Sequence, residues 1–197
     1  MIRADRGSGV RTFVAVHLDP NTRAALAAAS TELRAHAGAL PIAWVASENF
    51  HITVKFLGGI DEARVPAVIA ALHTAAAGRP RFEVAIRALG AFPSPTRPRV
   101  LWAGVAEGGE PLGALAAAVE DALTPLGFAR EARAFAAHVT LARVREPRRA
   151  PALAAAIDAA ASRCFGRVTI DHVALMRSDL SPRGARYTAL STVPLLR

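Results

Sequence analysis

The segment His51-Ile52-Thr53-Val54-Lys55-Phe56-Leu57-Gly58 has an echo at His138-Val139-Thr140-Leu141-Ala142-Arg143-Val144, one copy in each half of the chain. Both read histidine, apolar, threonine, apolar. A period of two predicts a strand, and in a strand His and Thr two apart share a face. Ile52 and Val54, like Val139 and Leu141, then face the opposite side, where a core would sit. Each copy therefore predicts a half-buried strand with an imidazole beside a hydroxyl on its open face. Two such strands facing one cleft would hold a symmetric pair of proton-transfer groups.

The remaining segments surround these two strands with a regular alternation. The β-branched run Arg11 to Leu18 predicts a strand, and Asp19 or Asn21 caps a helix through about His36. A short extended piece, Ile42 to Ala46, leads by way of Ser47-Glu48-Asn49 into the first motif strand, about Phe50 to Leu57. Asp61 starts a second helix, to about Ala77. Strands are expected at Phe82 to Arg87 and Val100 to Val105, separated by the proline-rich loop Phe92 to Pro98. A helix from Pro111 to about Leu126 precedes the second motif strand, Ala136 to Val144. Another helix, Pro151 to about Arg163, comes after it. One long strand, Gly166 to Met176, a turn at Ser181 to Gly184 and a strand at Tyr187 to Val193 complete the chain. Helices flanking short strands with hairpin-like neighbours predict an α+β fold with mostly antiparallel sheets. Residues 1–10 read as a flexible tail, and 11–197 as a single domain of two pseudo-symmetric lobes.

Composition narrows the function classes. The hydrophobic fraction of 52% is largely alanine, which suits helix packing. No run of about eighteen or more strongly apolar residues predicts a membrane span, and the first ten residues lack the apolar block of a secretory signal. A lone cysteine, Cys164, allows neither an internal disulfide nor a cysteine metal site, so the expected compartment is cytoplasmic. The net charge of +8, almost all arginine, points to an anionic partner such as RNA or a phosphate-bearing nucleotide. Codon bias toward Ala, Arg, Gly and Pro discounts that inference in part.

Imidazole titrates near neutrality, so a neutral and a protonated histidine together can run a displacement at phosphorus. One takes a proton from the attacking oxygen and the other gives one to the leaving oxygen. Thr53 and Thr140 are placed to donate hydrogen bonds to the non-bridging oxygens, whose charge grows at the transition state. From the residues alone, two structural histidines fit as well as a catalytic pair.

The twin motifs resemble those of the two-histidine phosphoesterases, and more closely the RNA 2′,3′-cyclic phosphodiesterases long called 2′-5′ RNA ligases. The likeness extends to Phe13-Val14-Ala15-Val16, Trp44-Val45, Glu48-Asn49 and Gly90-Ala91-Phe92-Pro93. It also covers Arg97 to Trp102, Pro125 to Phe128 and Ser181 to Tyr187. The resemblance implies a bilobal α+β fold, two sheets lining a central cleft with helices outside, no metal and no cofactor. It implies opening of a 2′,3′-cyclic phosphate on RNA or a nucleotide to a 2′-phosphomonoester, and the reverse 2′-5′ ligation. His138 would activate water and His51 would protonate the departing 3′-oxygen, with the roles exchanged in ligation. The chain is expected to act as a monomer without an obligate protein partner or membrane.

In the family, the residues five beyond each histidine, Phe56 and Arg143, are suited to holding the terminal base. Strict alternation puts both on the face opposite the histidines, unless a bulge, strong twist or strand end brings them round. Lys55 shares the His51 face by alternation, where it would contact phosphate or solvent. His17, His36, His73 and His172 are expected in structural or surface roles, and Arg148-Arg149 in a solvated loop. Competing readings are a non-catalytic module that binds RNA ends, a phosphodiesterase for a small nucleotide such as ADP-ribose cyclic phosphate, and a histidine metal site. The last lacks further ligands at the usual spacing.

Overall fold

In the computed structural model, residues 9–181 and 184–197 are described. The expected flexible tail lies outside them except for its end. Val10, placed in the tail from sequence, is buried and opens the first strand. Pro182 and Arg183 of the expected turn also lie outside the described residues.

The elements run β1 (Val10–His17), α1 (Pro20–Ala35), β2 (Ile42–Trp44), β3 (His51–Ile60), α2 (Val65–Ala76), β4 (Phe82–Phe92), β5 (Val100–Glu107), α3 (Gly109–Leu123), β6 (His138–Val144), α4 (Pro151–Ala159), β7 (Cys164–Ile170), β8 (His172–Ser181) and β9 (Gly184–Pro194). Local signals explain the starts. Asp19 caps α1 by accepting from the amides of Asn21 (2.8 Å) and Thr22 (2.9 Å), and Pro20 occupies the first turn.

The strands form a nine-stranded sheet in the order β7-β4-β5-β6-β3-β1-β8-β9, with β2 added beside β6. All pairings between named strands are antiparallel. The two expected sheets are the halves of this path, and the two motif strands are where the halves meet. β3 and β6 pair at Ile52 opposite Val139, after which β6 turns its edge to β2 at Ala142 to Val144. The sheet therefore opens beside the motifs. Helices α2 and α3 pack on the half that contains β3, β8 and β9, while α1 and α4 pack on the half that contains β4 and β7. A single large core of Leu, Ile, Val and Ala fills the helix side. Phe13, Ala15, Ala174 and Met176, with Tyr187 against them, form a small second cluster on the other face.

The expected last long strand needs correction. The long strand from Gly166 to Met176 is two strands with a corner at Asp171. β7 pairs with β4 at one end of the sheet, and β8 with β1 and β9 at the other. Two successive polar residues, Asp171 and His172, shift the apolar phase from Val168 and Ile170 to Val173 and Leu175, and this is the mark the corner leaves in the sequence.

Candidate active site

The antiparallel pairing of Ile52 with Val139 decides the geometry of the motifs. Both side chains are fully buried on the helix side. Their neighbours His51, Thr53, His138 and Thr140 consequently project together from the opposite face. One step either way in the register sets His51 opposite Thr140 and Thr53 opposite His138. The histidines are diagonal neighbours, about 7–8 Å apart on the usual ladder spacing and somewhat closer at Cβ.

Each imidazole is held in the same way. His51 Nδ1 lies 2.7 Å from the carbonyl oxygen of Asn49, and His138 Nδ1 lies 2.7 Å from that of Ala136. A carbonyl only accepts, so both Nδ1 atoms carry hydrogen, and in the neutral rings both Nε2 atoms are left as the bases. His51 Nε2 accepts from the Thr53 hydroxyl at 3.0 Å. Asn49 in turn donates its side-chain amide to the carbonyl of Ala185 in β9 at 2.7 Å, which fixes the turn whose carbonyl orients His51.

Aromatic rings frame both histidines. Phe13 stacks on His51 at 4.8 Å, and Tyr187 meets it edge-on at 5.4 Å. Phe92 meets His138 edge-on at 5.3 Å and leans on Trp102. A side chain at Gly90 would collide with the Trp102 ring, so glycine there makes room for it. Burial pushes the His51 pKa down to about 4, against the Nδ1 hydrogen bond to Asn49, which raises it; charge on His17 and His138 lowers it further. At pH 7 His51 is therefore neutral.

The positions beyond the motifs are set by one irregularity that occurs twice. In β3, Thr53 pairs with Ala15 and Lys55 with Val14, so Val54 has no partner and forms a bulge. In β6, Thr140 pairs with Trp102 and Ala142 with Leu101, so Leu141 forms the equivalent bulge. Each bulge buries two consecutive residues and reverses the phase of the strand beyond it. Phe56, 66% exposed, thus returns to the histidine face, where it pairs with Phe13 and their rings lie 6.2 Å apart. Arg143 is likewise exposed, and its charge reaches the phenol of Tyr187. The bulge resolves the conflict between alternation and the position of these two residues.

The same bulge removes Lys55 from the site. Expected on the His51 face, Lys55 is only 7% exposed and points to the helix side. Its Nζ donates to Glu120 at 2.6 Å and to the carbonyl of Ala129 at 2.8 Å. This lysine ties β3 to α3 and to the loop that leads to His138. Phe13, Tyr187, Phe92 and Asn49 surround the site without having been singled out for it. Only their place beside the motifs in the resemblance hinted at them, and the carbonyl of Ala136 leaves no trace in a side-chain pattern.

The sequence pattern of the LigT-like phosphoesterases matches this chain twice, over residues 16–102 and 104–187, with one motif in each match. The chain belongs to the LigT-like phosphoesterase family. Its relatives include an RNA 2′,3′-cyclic phosphodiesterase of Aeropyrum pernix, 38% identical over 81% of this chain and 89% of that protein. Another RNA 2′,3′-cyclic phosphodiesterase, from Archaeoglobus fulgidus, is 36% identical over 92% of this chain and 98% of its own length. Among solved structures, TT0787 of Thermus thermophilus superposes with a TM-score of 0.77 at 30% identity, over 94% of this chain and 97% of the other. Escherichia coli LigT complexed with 3′-AMP gives 0.72 at 22% identity, over 96% of this chain and all of its own, a likeness of fold. The double match also accounts for the symmetry of this LigT-like phosphoesterase, in which motif, bulge and imidazole tether all occur twice. Among the described residues, no helix is long and apolar enough to cross a membrane.

Proposed function

We propose that this chain opens the 2′,3′-cyclic phosphate at the end of an RNA or nucleotide to a 2′-phosphomonoester, with His51 and His138 moving both protons and no metal taking part. The observation that carries the reading is the pair of identical tethers, which leave two Nε2 atoms on one open face. The names of the relatives supply the substrate class. Diagonal placement across the β3–β6 pair suits in-line attack, since the base and the acid must work on opposite sides of phosphorus.

In hydrolysis His138 takes a proton from water through Nε2. Its tether is the more open of the two. His51 delivers a proton to the 3′-oxygen. Burial that depresses the His51 pKa makes the protonated ring a strong acid, and the anionic phosphate favours that protonated form in the complex. Once Nε2 is protonated, Thr53 no longer has an acceptor there, and its hydroxyl is free for a non-bridging oxygen. Thr140 offers its hydroxyl to the other non-bridging oxygen from the second motif strand. With a 5′-hydroxyl in place of water, the same steps join the cyclic phosphate to that hydroxyl through a 2′-5′ bond, His138 taking its proton and His51 protonating the 3′-oxygen. The cytoplasmic setting expected from the lone Cys164 belongs to the same reading.

Phe56 and Arg143 hold the terminal base between a ring and a guanidinium plane. Phe56→Ala should raise KM for a short RNA about tenfold, as loss of one stacked base contact does; an unchanged KM would remove Phe56 from the site. The function itself is tested by product analysis on a short RNA ending in 2′,3′-cyclic phosphate, with and without chelator. The expected product is the 2′-phosphate at an unaltered rate in chelator. A 3′-phosphate, or loss of turnover in chelator, would overturn the mechanism. Salt-sensitive binding without turnover would favour the RNA-end binding module instead.

A further inference from the structure

A second group of titratable side chains stands beside His51 and has no part in the chemistry above. His17 is the direct cross-strand partner of His51 in the β1–β3 ladder and so shares its face, with Cβ atoms about 4.5–5.5 Å apart on ladder spacing. Its Nδ1 lies 2.9 Å from His172 Nε2, and His172 Nδ1 lies 2.5 Å from the Asp171 carboxylate. The three form a hydrogen-bonded line that ends at His17 Nε2, an atom without a partner among the described residues. From α1 the guanidinium of Arg23 adds positive charge. It donates to the carbonyl of Leu18 at 3.2 Å, has no carboxylate partner among the described residues, and leaves its Nε buried without an acceptor.

The balance of charge here is lopsided. His172, Arg23 and His51 all face His17, while the Asp171 carboxylate sits on the far side of His172 and that of Asp19 is engaged in capping α1. Burial, then the charges of His172 and Arg23, hold His17 below the ordinary imidazole range, so it stays neutral while nothing offsets them. An anion against Nε2 would reverse that balance. The proton wiring allows it, because Asp171 keeps one proton on His172 Nδ1. In the neutral line the other proton sits on His17 Nδ1 and is donated to His172 Nε2; a third proton taken up by the line puts an N–H on His17 Nε2, aimed away from the line.

We propose that His17, backed by His172 and Arg23, is a second phosphate subsite. It takes the phosphate on the 5′ side of the terminal ribose while the terminal phosphate lies between His51 and His138. This rests on the hydrolase reading for the placement of the terminal phosphate, and it extends that reading to substrate choice. An RNA end, or a nucleotide with a 5′-phosphate, carries the second anion; a plain cyclic nucleoside phosphate does not. In such an end the two phosphates are one ribose apart, and the two imidazoles are one strand apart on the same rung.

Calorimetry with product-like ligands tests the subsite without needing turnover. Adenosine 2′,5′-bisphosphate should bind wild-type protein about tenfold more tightly than adenosine 2′-phosphate, as one charge-assisted hydrogen bond gives. In His17→Phe the ratio should fall to near one. Asp171→Asn, which keeps the shape but frees the His172 proton, serves as the second variant and should narrow the ratio if His17→Phe does not fold. A dinucleotide ending in a 2′-phosphate should share the preference, because a diester presents the same anion. Equal affinity for the two adenosine phosphates in wild type, or a ratio unchanged in His17→Phe, would overturn the proposal. Preference for the dinucleotide alone would also overturn it, by pointing to stacking of the extra base. Turnover of adenosine 2′,3′-cyclic phosphate is scored separately and bears on the hydrolase reading alone.

Discussion

At the scale of residues, His51 departs furthest from ordinary behaviour. Its ring is wedged between Phe13 and Tyr187, and burial pushes its pKa down to about 4. The unfolded chain has an ordinary imidazole near pH 6.5 and so binds more protons between the two values. Stability contributed by the neutral ring is therefore present above about pH 6.5 and is lost as pH falls toward 4. Urea unfolding of wild type and His51→Gln across this window should differ by about 2–3 kcal/mol in pH dependence, allowing for solvent screening of the half-buried ring. The wild type should show the steeper loss. Parallel curves would mean that the ring is not desolvated as described.

Among the elements, the paired bulges at Val54 and Leu141 set which side chains reach the site. The sequence made the strands legible through Ile52, Val54, Val139 and Leu141, and made the histidine face legible through His51 and Thr53. Its period of two cannot reveal where a ladder gains a residue, so it placed Lys55 in the site and left Phe56 and Arg143 in conflict. The corner at Asp171 is marked only by the phase shift across Asp171 and His172, which does not say which strands lie on either side. Choice of partner strand is a property of the whole sheet, and alternation reads only one strand. The corrected Lys55 has its own consequence. Lys55→Met leaves Glu120 without its cation and the loop at Ala129 without its tie. Breaking a buried pair from one side costs about 3 kcal/mol or more, so the melting temperature should fall clearly. A change in KM at unchanged melting temperature would instead return Lys55 to the phosphate.

Across the whole molecule, the two sequence repeats are not the two structural halves. β8 and β9 close the half begun by β1 and β3, and β6 and β7 complete the half begun by β4 and β5. The segment 16–102 alone therefore completes neither half of the sheet. Expressed by itself it should show no cooperative unfolding transition, whereas the full chain should unfold in one; a cooperative transition in the fragment would contradict this interlacing. The same interlacing brings His51 and His138 to one place, and the proposed turnover depends on their acting as a unit. The most direct measurement is kcat on a short RNA ending in 2′,3′-cyclic phosphate for His51→Ala, His138→Ala and the double variant. Each single change should cost about 10²–10⁴-fold, and the double variant little more than either, because groups that work together are lost together. Near wild-type turnover in either single variant, or losses that multiply in the double, would contradict the paired mechanism.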